Sequence, residues 1–202
     1  MTDRLVLERA LWSRGVDRVA GVDEAGRGAL FGPVVAGAVI LDARKNLEDY
    51  RDSKTLTAQR REALFRRILG DGHAWSLGVV SPQEIDSTDI RKATLRAMSL
   101  AVSALPVAPS RVLVDGNAVP ALSCPAEAVI DGDELCATIA AASIVAKVVR
   151  DRLIRALEGF FPGYGLGEHK GYGTRAHLEA LARLGPTPMH RRSFRGVPRE
   201  MA

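Results

Sequence analysis

The stretch 19-VAGVDEAGRGALFGPVVAGAVIL-41 sets two adjacent carboxylates, Asp23 and Glu24, between apolar runs and follows them at once with Gly26-Arg27-Gly28. The flanking runs "RVAGVD" (18–23) and "PVVAGAVIL" (33–41) are valine-rich and bounded by Gly and Pro, which reads as two buried strands. Carboxylates are costly to bury unless they are paired or bound to a cation. Neighbouring side chains on a strand face opposite ways, so both acids serve one site only if the strand stops there. Gly26 and Gly28 permit such a break. The plainer alternative puts one acid in a site and the other in a solvated turn. Gly21-x-x-x-x-Gly26-Arg27-Gly28 also copies the spacing of a Walker A loop. However, Arg replaces its Lys, Gly28 stands where the metal-binding Ser/Thr belongs, and two acids inside the loop would repel phosphate. ATP and GTP are excluded on these grounds. What remains is a close-approaching backbone with one cation, suited to a sugar–phosphate chain and its 2′-hydroxyl.

Two more apolar runs end in acid. "RVLVDGN" (111–117) reads as a strand ending at Asp115, and "AEAVIDGDE" (126–134) as a strand ending in acids. Of Asp131 and Asp133, which flank Gly132, Asp133 is the expected site residue and Asp131 a turn residue. Functional groups in open α/β sheets gather at strand ends. If these strands are neighbours, Asp23, Glu24, Asp115 and Asp133 converge. They cannot all stay ionised there without a cation, and an oxygen-only donor set suits Mg²⁺ or Mn²⁺ rather than zinc. "AWSLGVV" (74–80) is a further short strand. Helices are expected at 58–69, 88–105, 136–160 and roughly 175–184, the last capped by Thr174 and stopped by Gly185. A short amphipathic helix is expected within the first fifteen residues. The order argues an α/β sheet layered with helices.

At 202 residues, 47% hydrophobic and 26% charged, the chain is ordinary for a globular protein with a real core. No run of 18 apolar residues suggests a membrane span, and the N-terminus is too charged for a secretory signal. Cys124 and Cys136 fit no zinc or disulfide pattern, which is consistent with a reducing cytoplasm. The net charge of +4 is uneven, because residues 150–202 carry ten Lys/Arg against five Asp/Glu. That basic quarter suggests an anionic partner, although a solvated surface explains it as well. "HRRSFRGVPR" (190–199) is either a phosphate-contacting tail or a solvated terminus with one residue packed back. Lys147 and Asp151, four apart on a helix, read as an ordinary ion pair, and His169 and His190 as surface or satisfied histidines.

"DEAGRG" (23–28), "DSK" (52–54), "VDGN" (114–117), "DGD" (131–133), "AASIVAKVVRD" (141–151) and "HKGYGT" (169–174) stand in the order and approximate spacing of ribonuclease HII, the type 2 ribonuclease H. The chain resembles that family from about residue 15 to about residue 195. The resemblance implies a ribonuclease H-like α/β fold, a mixed central sheet flanked by helices with a small helical C-terminal segment. The expected division is a catalytic part, 1–160, and a basic substrate-gripping part, 161–202, in one folding unit. Asp23, Glu24 and Asp115 resemble the family's metal ligands, and Asp133 its fourth active-site carboxylate. Gly26, Arg27 and Gly28 resemble its 2′-hydroxyl-sensing loop, and Tyr172 the tyrosine that stacks at a ribonucleotide–deoxyribonucleotide junction. Lys54 and Lys147 look like residues near phosphates. The implied activity is Mg²⁺- or Mn²⁺-dependent endonucleolytic cutting of RNA in RNA–DNA hybrids, including single ribonucleotides embedded in duplex DNA, leaving a 5′-phosphate and a 3′-hydroxyl. A monomer is expected, with a replication or repair partner at the C-terminal tail. The rival expectations are a ribose-independent nuclease or polynucleotidyl transferase, and a non-catalytic hybrid-binding module.

Overall fold

The computed structural model describes residues 3–47, 49–50, 53 and 56–198. In chain order the elements are α1 (Val6–Trp12), β1 (Val19–Ala25), β2 (Val34–Ile40), α2 (Ala58–Gly70), β3 (Ala74–Val80), α3 (Pro82–Ser87), α4 (Ile90–Ser103), β4 (Arg111–Asp115), β5 (Ala126–Val129), α5 (Gly132–Leu135), α6 (Ala137–Glu158), α7 (Leu166–His169) and α8 (Arg175–Leu184). The strands form one mixed sheet in the order β3-β2-β1-β4-β5. β1, β2 and β3 pair antiparallel, while β4 joins β1, and β5 joins β4, in parallel. This is the expected mixed α/β sheet, and β1 lies at its centre.

Helices cover both faces. Alternation along β1 sends Ala20 and Val22 into the cluster built with Ala93, Ala97 and Met98 of α4. Gly21 takes the other face, where a β-carbon would overlap the Thr138–Ile139 backbone of α6. Gly37 of β2 meets α6 in the same way, and Gly78 of β3 meets α4. Bare positions on the sheet therefore let both helices approach to backbone contact. Such contact suits the first half of α6, whose Ala-rich turns are buried all round. α1 contributes Glu8, fully buried, whose Oε1 accepts from the Thr138 amide at 2.9 Å and its hydroxyl at 2.8 Å. It thus caps the otherwise orphaned first turn of α6.

Several features differ from the sequence reading, among them the short helix α7. The fifth strand does not run to residue 134. It stops at Val129, Asp131 adopts a left-handed conformation (φ 53°), and Gly132–Leu135 form a helical turn. The cause is the Asp115 carboxylate, whose Oδ1 accepts from the Gly132 amide at 2.8 Å and more weakly from that of Asp133 at 3.4 Å. Asp133 therefore sits on α5 rather than at a strand end. Residues 82–87 form an unanticipated helix, α3, capped by Ser81, which accepts from the Glu84 amide at 3.2 Å.

Candidate active site

Asp23 and Glu24 occupy the end of β1, and the strand does not break between them. It ends one residue later, at Ala25; the expected break at the acid pair is absent and the two side chains leave on opposite faces, but so close to the strand end that the Glu24 charge still acts on Asp23. Asp23 shares the α6 face with Gly21, is 4% exposed and is hydrogen-bonded to Ser143 of α6. The Ser143 hydroxyl also lies 2.8 Å from that of Ser53, tying α6 to that residue. Glu24 lines a small cleft with Arg27, Arg91, Thr94, Asp115 and Asn117. Parallel pairing of Val22 with Val114 sets Asp115 one step on, beside Asp23. Asp133, 2% exposed, is held next to Asp115 by the amide contacts of α5. Sheet register and one carboxylate-capped turn thus bring together segments far apart in sequence.

The electrostatics follow from that crowding. Burial first, then the charges of Glu24 and Asp115, push the Asp23 carboxyl well above the usual carboxylate range. Among the described residues no three Asp, Glu, His or Cys side chains form a closed ligand group. The donor chemistry nevertheless fits hard divalent cations, because the groups are oxygen-only and their mutual repulsion falls when positive charge enters.

The glycine loop lies beside these acids. Gly26 has φ 88°, a conformation open to glycine at little cost, and Arg27 and Gly28 are exposed. Arg27 reaches back to Glu24 at 3.8 Å. Ala29 bridges to Tyr172, so the two expected substrate-reading segments are neighbours. Tyr172 is 36% exposed, with the Lys147 ammonium 5.8 Å from its ring centroid. Lys147 also pairs with Asp151 at 2.8 Å, as the four-residue spacing suggests. Lys54 lies outside the described residues.

Several residues near the site escaped the sequence reading. Ser143 touches Asp23 from within an apolar helix. Arg150 and Arg191 are fully buried beside the glycine loop. The segment 190–199 is therefore not wholly a phosphate-contacting tail: Arg191 is inside, and Phe194 packs against the core. His177 and His190 are buried and bonded to each other, Nε2 to Nε2, at 3.1 Å. A histidine spacing carries no signal that would have foretold this.

The Ribonuclease HII family model matches residues 20–197. A ribonuclease HII of Nitrosococcus oceani is 52% identical over 197 residues, covering 96% of this chain and 98% of that protein. One of Desulfitobacterium hafniense is 48% identical over 194 residues, covering 96% and 75%. Among solved structures, ribonuclease H2 from Pyrococcus horikoshii superposes with a TM-score of 0.75 at 28% identity, covering 90% of this chain and 96% of that one. The chain in the PCNA:RNase HII complex from Archaeoglobus fulgidus gives 0.69 at 27%, covering 86% and 93%. With its sheet, acids and glycine loop in place, the chain belongs to the ribonuclease HII family of metal-dependent endoribonucleases, which cut the RNA of RNA–DNA hybrids.

Proposed function

We propose that this enzyme also cuts at single ribonucleotides embedded in duplex DNA, leaving a 5′-phosphate and a 3′-hydroxyl, with Asp23, Glu24, Asp115 and Asp133 as the residues that hold two Mg²⁺ or Mn²⁺ ions. The observation that carries the reading is the burial of Asp23 against Glu24 and Asp115 at the end of the central strand. Such a cluster of acids weakens binding to a polyanion unless cations neutralise it, which argues against a non-catalytic binding module. Bound ions of this kind activate water and stabilise a leaving oxygen. The chain's own part is to place the nucleic acid. Arg27 and Gly28, on the turn that Gly26 permits, bring exposed backbone and one cation to the ribose, Tyr172 offers a partly exposed ring for stacking, and Lys147, with Lys54 by family resemblance, would serve flanking phosphates. A solved RNase HIII of this fold contains Mn²⁺, in keeping with the metal choice. The A. fulgidus complex with PCNA supports a replication partner, which we assign to the C-terminal tail of a monomeric, cytoplasmic enzyme.

The test is cleavage of a duplex carrying one ribonucleotide, with the cut site and end groups mapped. Cutting on the 5′ side of the scissile phosphate is expected with Mg²⁺ or Mn²⁺, at a rate lowered at least 100-fold by chelator or Asp23→Asn. Equal cutting of an all-DNA duplex would instead favour a ribose-independent nuclease.

A further inference from the structure

Two buried arginines form no ion pair with a carboxylate among the described residues. Arg150 of α6 and Arg191 of the C-terminal segment are each 0% exposed. Their hydrogen bonds go to main-chain carbonyls. Arg150 donates from Nε to Pro33 O at 3.1 Å, from Nη2 to Phe31 O at 3.0 Å and from Nη1 to Lys170 O at 3.0 Å. Arg191 donates from Nε to Gly32 O at 2.9 Å and from Nη1 to Arg27 O at 2.8 Å. Among the described residues its Nη2 has no hydrogen-bond partner. A buried cation hydrogen-bonded to carbonyls rather than to a carboxylate is an expensive way to fasten a fold.

The destinations of these bonds are selective. All five carbonyls belong to residues 27–33 and 170, the two segments that carry Gly26-Arg27-Gly28 and Tyr172. Arg150 also fills the space beside Gly26 that a β-carbon would need. Its guanidinium lies 5.5 Å from the Tyr172 ring centroid, within cation–π range. The same segments are cross-linked by backbone bonds from Leu30 and Phe31 to Gly171 O at 2.8 and 3.3 Å, and from Arg191 to Leu30 O at 2.8 Å. Neither guanidinium can reach a nucleic acid, so any effect on the substrate passes through the loops.

We propose that Arg150 and Arg191 are positioning residues that fasten the glycine loop and the Tyr172 loop into one frame, so that ribose contact and base-step stacking are imposed together at a ribonucleotide–deoxyribonucleotide junction. This rests on the reading that those two loops recognise the junction. A flexible pair of loops would pay the ordering cost at each binding event, whereas a fixed pair does not. Lysine cannot reproduce either set of bonds, because it is a single point donor rather than a planar fork.

The measurement is kcat/KM on a duplex with one embedded ribonucleotide and on a uniform RNA–DNA hybrid, for wild type, Arg150→Lys, Arg191→Lys, Arg27→Ala and Tyr172→Ala. Both lysine variants should lose at least tenfold in the ratio of the two values, while the thermal shift produced by Mn²⁺ stays as in wild type. A wild-type ratio in both, or an equal loss on both substrates, overturns the proposal and leaves the arginines as ordinary staples. If Arg27→Ala and Tyr172→Ala also keep the wild-type ratio, the junction reading itself has failed. Hydrogen exchange on the wild-type protein covers the case of a variant that does not fold. The Leu30 and Phe31 amides should exchange as slowly as those of β1, and exchange at the rate of an open loop overturns the frame.

Discussion

Asp23 shows how a single side chain can cost stability at the position where the proposed function needs it. It is buried, faces two like charges and has Ser143 as a hydrogen-bond partner. Its folded-state pKa lies above the unfolded value of 3.8. The fold therefore binds a proton more tightly than the unfolded chain does. Stability must fall as pH rises through that window, and the ionisation cost is fully present above it. In chelator at neutral pH, Asp23→Asn should thus melt higher than wild type. Added Mn²⁺ should reverse the order: a ligand at 100 times its Kd stabilises by about 2.7 kcal/mol, or roughly 5–10 °C for a chain of this size, and the variant should gain much less. Differential scanning fluorimetry with and without the metal checks both halves. A variant that melts below wild type in chelator would remove the charge-crowding account of this residue.

At the scale of elements, close approach decides the architecture. Gly21 lets β1 touch the α6 backbone at Thr138 and Ile139, and α6 carries Ser143 to Asp23 and Arg150 to the glycine loop. Gly21→Ala should cost about 1–3 kcal/mol by overpacking, and chemical denaturation would show it as a lower midpoint at an unchanged slope. Glu8 fixes the start of the same helix through the Thr138 amide and hydroxyl. Glu8→Ala should cost about 1–2 kcal/mol. Glu8→Gln, which keeps an acceptor and removes a carboxylate whose pKa burial raises, should cost much less. The strands from 19 to 40, 74 to 80 and 111 to 115 were legible because valine runs bounded by Gly and Pro are local signals; α2 and α4 were legible from their apolar stripes, α6 from its Ala-rich apolar run, and α8 from the Thr174 cap and Gly185 stop. The turn at Asp131–Asp133 was not. It is made by the Asp115 carboxylate, and no pattern within 126–134 announces a distant acceptor. Arg150 and Arg191 were hidden for a related reason: their partners are carbonyls, which every residue carries.

Across the whole molecule, the C-terminal segment is joined to the Tyr172 loop by a chain of neutral imidazoles. The Thr187 amide donates to His190 Nδ1 at 3.0 Å, which leaves His190 Nε2 to donate to His177 Nε2 at 3.1 Å. His177 Nδ1 then donates to Tyr172 O at 3.0 Å. His169 stacks on His177 with centroids 4.4 Å apart. A proton on either linked ring would place donor against donor. Burial, aided by His177 and Arg192, lowers the His190 pKa to about 3, and burial also lowers that of His177. The unfolded chain binds these protons near pH 6.5, the folded one at lower pH, His190 only at about 3. The stability they confer is therefore complete above about pH 6.5 and lost progressively as pH falls toward 3. Melting temperatures of the metal-free protein, measured from pH 8 to pH 4, should accordingly drop more steeply below 6.5 in wild type than in His190→Gln, even though the variant starts lower at neutral pH. Parallel curves would mean that the imidazole chain carries no titration, and that acid sensitivity has its source elsewhere in the fold.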